Sequence, residues 1–112
     1  MLRTCLAAAE EGDASLEVID LRSLAPLDWE TIVASVRKTG RLLVVHEAVQ
    51  DFGAGAEIAA RISTDLFDEL RTPVRRIGTP SVPMPFSPDL EKALLPTSKA
   101  VSGAADALVA EG

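Results

Sequence analysis

A chain of 112 residues, 47% hydrophobic and 25% charged, carries one domain's worth of globular protein around a single core. Its formal charge of −6 disfavours a nucleic-acid or anionic-membrane surface and favours a basic protein partner. One cysteine, Cys5, excludes an internal disulfide, and one histidine, His46, argues against a zinc site of the Cys/His type. No apolar run approaches the ~20 residues that cross a bilayer. Met1 to Glu11 also lacks the basic-then-apolar layout of a signal peptide, so a cytoplasmic location is expected.

Leu2, Cys5, Leu6 and Ala9 recur at helical spacing and predict an amphipathic helix from Met1 to about Glu11, closed near Gly12. Leu16 to Leu21 reads as a strand, and Ala25-Pro26-Leu27 as the connection to Asp28, a good N-cap. In the helix that follows, Trp29, Ile32, Val33 and Val36 form one stripe, Glu30, Arg37 and Lys38 face water, and Gly40 marks the end. Arg41 to His46 is a buried strand, and Gly53-Ala54-Gly55 relieves the turn into a helix from about Gly53 to Leu70. That helix carries Ile58, Ile62, Leu66 and Leu70 at intervals of four, with Glu57 and Arg61 available as an exposed pair.

Pro73 marks the helix end, and Val74 to Ile77 gives a short strand that could border the sheet. The prolines between Gly78 and Phe86 fix an extended course. Ser87-Pro88 reads as a helix start leading to Leu90, Leu94 and Leu95, and a terminal helix runs from about Thr97 to Ala110. Strands alternating with helices predict a mainly parallel sheet with right-handed crossovers and helices on both faces.

Four stretches carry a family resemblance: Val18 to Asp28, Lys38 to Ala48, the Gly53/Gly55/Glu57 turn, and Pro83-Met84-Pro85-Phe86. Together they resemble the C-terminal domain of the β subunit of thiamine diphosphate-dependent 2-oxo acid dehydrogenases of the pyruvate and branched-chain type. The resemblance covers almost the whole chain, so residues 1–112 are expected to be one domain of a longer β subunit. It implies a transketolase C-terminal-like, three-layer α/β/α sandwich lacking the family's first parallel strand. That strand would lie between the stretches resembling Leu16–Leu21 and Arg41–His46. Backbone groups left unpaired on its two neighbours would each cost about 1–3 kcal/mol if buried. The expectation is therefore that the remaining strands re-pair, or that two chains associate as a homodimer through exposed strand edges.

In this family cofactor and substrate sit between the α subunit and the other domain of the β subunit, so thiamine diphosphate and Mg²⁺ belong to the parent enzyme. The fragment is expected to bind neither and to be inactive alone. Gly12-Asp13-Ala14 is the nearest approach to the Gly-Asp-Gly signature of the diphosphate motif and does not match it. The implied task is assembly, with an α subunit and a second β subunit as partners, and docking of the small basic subunit-binding domain of the acyltransferase core as a further role. Whether the parent acts on pyruvate or on branched-chain 2-oxo acids is not encoded here. A transketolase or deoxyxylulose-phosphate synthase homologue would share the fold.

No catalytic, cofactor or metal residue is assigned. The interface candidates are Trp29, His46, Glu47, Phe52, Met84, Phe86, Asp89 and Glu91. Trp29 opens a helix as either a core plug or an interface anchor. Phe86 and Met84 sit in a proline-stiffened segment that loses little entropy on binding. Asp89 and Glu91, with Asp106 and Glu111, would suit a basic partner, although acidic helix residues commonly only solubilise. His46 and Glu47 end a strand where α/β proteins place their sites. The alternative reading is a free-standing small α/β enzyme or an anion-binding domain built on the His46/Gly53 end of the sheet. Against it, the turn lacks the third glycine and the lysine of phosphate loops, and Asp51 and Glu57 would repel an anion. Arg75 and Arg76 alternate to opposite faces and read as solvated edge charges, and Cys5 reads as core filler.

Overall fold

The computed structural model describes residues 1–22, 27–49, 53–79 and 95–111. Its elements are α1 (Leu2–Glu11), α2 (Trp29–Thr39), β1 (Leu43–Val49), α3 (Ala54–Asp65), a 3₁₀ turn (Phe67–Glu69), β2 (Arg75–Thr79) and α4 (Ser98–Glu111). The residues expected at Leu24 to Pro26, along the proline segment from Pro80, and in the Ser87-Pro88 helix start lie outside the described residues.

Local chemistry sets the ends of α2. Asp28 accepts a hydrogen bond from the Thr31 backbone N–H (3.2 Å) and another from its hydroxyl (2.6 Å). These two bonds hold the Asp28 carboxyl below its usual range, the hydroxyl bond contributing most. At the other end Gly40 adopts φ 72°, a left-handed conformation open to glycine, and its N–H closes on the Val36 carbonyl at 2.7 Å.

β1 and β2 pair in parallel, with Leu43 opposite Arg75 and Val45 opposite Ile77, and α3 is the crossover between them. Ile32, Val36, Ile58, Ile62 and Leu66 form the core where α2 and α3 cover one sheet face, joined by Val44 and Leu42. On the other face Ala8 of α1 and Val101, Ala105 and Leu108 of α4 are buried where the two terminal helices pack. The architecture is α/β with a parallel sheet between helices, as the alternating pattern predicts.

Two expectations are corrected. The helix predicted to reach Leu70 stops at Asp65: Leu66 turns to φ −119°, ψ 24°, although its N–H still bonds the Ile62 carbonyl at 2.9 Å. The tighter 3₁₀ turn leaves Phe67 74% exposed but redirects the chain so that Arg71 N–H meets the Gly40 carbonyl at 2.8 Å, which brings β2 beside β1.

The second correction concerns Leu16 to Leu21. This stretch does not join the sheet and makes no backbone–backbone hydrogen bond to another described residue. Among the described residues, the expected re-pairing of the remaining strands therefore does not include this stretch. Side chains hold the segment off instead: Glu17 accepts from the Ser35 hydroxyl and from Lys38 Nζ (3.3 Å) on α2. At its start, Ala14 N–H donates to Asp106 Oδ1 of α4 at 2.9 Å.

Candidate functional site

The carboxyl end of β1 is where a parallel sheet offers polar groups, and here it is packed against α3. Val44 and His46 share one face by alternation, which sends Glu47 to the other. A Cβ placed on Gly55 would lie 2.5 Å from His46 Nε2 and 3.1 Å from Val44 Cγ1, so only glycine admits the imidazole this close. His46 Nε2 is buried against this first turn of α3. Ala56 N–H is turned back onto the Gly53 carbonyl at 3.0 Å, which removes one of the helix-end donors an anion would require. Among the described residues the glycine of this turn serves to pack a histidine closely.

Glu47 is exposed, with its carboxylate 3.9 Å from the amino group of Met1. Trp29 is half-buried at the rim of the α2–α3 core, and the Arg61 guanidinium lies 3.9 Å above its ring. Arg61 therefore serves Trp29, and among the described residues no ion pair joins it to Glu57. Of the other interface candidates, Phe52, Met84, Phe86, Asp89 and Glu91 lie outside the described residues.

Two of the acidic groups considered for a basic partner are engaged within the chain. Asp106 holds Ala14, and Glu111 receives both of its hydrogen bonds from Arg75 at 3.2 Å. Arg75 thereby ties β2 to α4. Cys5 is half-buried, and desolvation pushes its thiol up, which keeps it protonated and poorly nucleophilic at neutral pH. Among the described residues no three His, Cys, Asp or Glu side chains gather where they could hold a metal ion. Gly12-Asp13-Ala14 is the turn after α1, pressed against Ser102 and Asp106 of α4, and offers no diphosphate cradle.

Sequence reasoning missed the Glu17 link to Ser35 and Lys38, which lowers the Glu17 carboxyl through the serine bond first and the lysine second. It also missed the Arg41 Nε bond to the Leu108 carbonyl at 3.2 Å. Partners separated by 18 to 67 residues leave no periodic trace.

These features define an α/β domain in which, among the described residues, the carboxyl end of β1 packs its histidine against the first turn of α3. The chain belongs to the transketolase C-terminal domain family, whose model matches residues 1–101. It is 51% identical over 89 residues to the 3-methyl-2-oxobutanoate dehydrogenase subunit beta of Mycobacterium tuberculosis, covering 80% of this chain and 25% of that protein. It is likewise 51% identical over 88 residues to the mitochondrial pyruvate dehydrogenase E1 component subunit beta-1 of Arabidopsis thaliana, covering 79% and 24%. The pyruvate dehydrogenase E1 component subunit beta of Rhizobium meliloti is 40% identical over 102 residues, 91% of this chain and 22% of that one. The chain thus spans about a quarter of the length of the curated relatives it matches.

Proposed function

We propose that residues 1–112 form the non-catalytic assembly domain of the β subunit of a 2-oxo acid dehydrogenase, within an enzyme that oxidatively decarboxylates pyruvate or a branched-chain 2-oxo acid and passes the acyl group to lipoyl groups. The observation that carries this reading is coverage: β subunits with both substrate names match most of this chain with about a quarter of their own length. The His46/Gly55 contact is in keeping with it, because the glycine there admits an imidazole instead of bringing backbone N–H groups close to an anion.

Thiamine diphosphate and Mg²⁺ act in the parent enzyme, in a cytoplasmic setting. The described residues do not fit either group, since the nearest glycine-aspartate turn is used for helix packing. No step through the cofactor is assigned to this chain. The partners are an α subunit and a second β subunit, with the subunit-binding domain of the acyltransferase core as a further one. Trp29, His46 and Glu47 would reach the subunit contact together with Phe52, Met84, Phe86, Asp89 and Glu91.

Sedimentation velocity of the chain mixed with the α subunit of a 2-oxo acid dehydrogenase, beside calorimetric titration with thiamine diphosphate and Mg²⁺, tests this. A faster-sedimenting complex with no cofactor heat is expected. Micromolar cofactor uptake with no complex would overturn the assembly reading.

A further inference from the structure

The amino ends of β1 and β2 gather four arginines, Arg37, Arg41, Arg71 and Arg75, on a chain whose formal charge is −6. Arg37 lies in the last turn of α2, Arg41 just before β1, Arg71 in the approach to β2, and Arg75 at its first position. Backbone bonds make them neighbours: Arg71 N–H donates to the Gly40 carbonyl at 2.8 Å, and Arg75 N–H to the Leu42 carbonyl at 3.1 Å. Three of the guanidiniums are each held through a single nitrogen. Arg37 Nε reaches Glu69 at 3.1 Å, Arg41 Nε the Leu108 carbonyl at 3.2 Å, and Arg75 Nη2 the Glu111 carboxylate at 3.2 Å. Each fork keeps further donors. Arg71 differs. Its stem lies where Gly40 has no side chain, with Cγ 2.9 Å from the position a Cβ would take. Its side chain is exposed, and no hydrogen bond or ion pair joins its guanidinium to a described residue.

We propose that this arginine-rich end of the sheet is a docking surface for an acidic, extended segment of a partner protein, with Arg71 at its centre. The Arg71 stem is placed against Gly40 before any ligand arrives, so its guanidinium is presented at small entropic cost. A guanidinium fork matches a carboxylate bidentately. The four arginines also belong to different layers. Arg37 is tied through Glu69 to the α2 and α3 side of the sheet, and Arg41 and Arg75 to the α4 side. One phosphate group cannot span layers roughly 10 Å apart, whereas carboxylates on one side of an extended segment recur about every 7 Å. The overall negative charge disfavours the denser charge of a nucleic acid. The exposed pairs with Glu69 and Glu111 contribute little individually, so incoming carboxylates can share or displace them. This inference rests on residues of this chain and not on the identity of the parent enzyme.

The probe is a fluorescent, end-blocked peptide of alternating glutamate and serine, with a control in which every glutamate is glutamine. Arg71→Met keeps a stem against Gly40 and removes the charged fork, and Arg71→Lys keeps the charge. Lys99→Met removes one exposed charge at the opposite end of α4 and controls for net charge. Fluorescence anisotropy at low salt should give saturable binding of the glutamate peptide and none of the glutamine peptide. Affinity should fall at least about fivefold in Arg71→Met, recover in part in Arg71→Lys, and stay unchanged in Lys99→Met. Equal weakening by Arg71→Met and Lys99→Met would reduce the effect to net charge and overturn the proposal, as would the lack of saturable binding. Displacement of the peptide by inorganic phosphate or a single-stranded oligonucleotide at equal concentration would assign this end to phosphate groups and overturn it. Self-association of the chain that Arg71→Met abolishes in sedimentation would give the surface to a second copy and overturn it as well.

Discussion

Gly55 and His46 set two opposing effects against each other at one point of the fold. Glycine in the first turn of α3 forfeits about 1 kcal/mol of helix propensity relative to alanine. A methyl group there would overlap His46 Nε2 at 2.5 Å, an overpacking that costs roughly 1–3 kcal/mol. Gly55→Ala should therefore destabilise the native chain, while in a His46→Ala background the same change should be neutral or stabilising. A double-mutant cycle by urea denaturation reads this sign reversal. Asp28 offers a test by pH. Its folded carboxyl lies below the unfolded value of 3.8, so the cap contributes fully above that value and is lost as the pH falls through the lower, folded one. Asp28→Ala should lower the Tm at neutral pH, and the difference from the native chain should shrink below pH 3.8. Asp28→Asn, also a good cap, should retain most of the Tm throughout.

The α2 and α3 pair carries the better-filled core, and Ile62, fully buried at its centre, is its most sensitive member. Ile62→Ala should cost about 2–5 kcal/mol by chemical denaturation, a large share of the ~5–15 kcal/mol typical of a domain. Arg61→Ala should cost only about 0.5–1 kcal/mol, because its contact with Trp29 lies at the rim, and should shift the tryptophan emission. The two helices also show what a sequence can and cannot disclose. The limits of α2 are legible because Asp28 and Gly40 are local signals. The end of α3 is not, since Leu66 and Leu70 continue the four-residue spacing through a backbone that has already become 3₁₀. Leu16 to Leu21 has strand composition but no ladder among the described residues, because a strand is defined by a partner and pairing is non-local. At the sheet end, the tight Gly53/Gly55 turn was readable from its glycines, whereas the Arg61 stack on Trp29 and the capture of Asp106 by Ala14 depend on elements brought together only by folding.

At the scale of the whole molecule, the described helices hold a two-stranded parallel sheet between them. Ion pairs at the periphery, such as Arg75 with Glu111 and Arg37 with Glu69, are exposed and contribute little individually. The frame depends on apolar packing, and its polar groups act mainly as ties: Glu17 to α2, Asp106 to the turn after α1, Arg41 to the end of α4. The family's shared domain explains how a branched-chain and a pyruvate β subunit match the chain at the same 51% identity. The central proposal is that this chain supports a reaction performed elsewhere in a longer protein. Its most direct test is to incubate the purified chain with thiamine diphosphate, Mg²⁺ and either pyruvate or 3-methyl-2-oxobutanoate and to measure carbon dioxide release. No release above the protein-free control is predicted, whereas turnover that disappears on His46→Ala substitution would contradict the account.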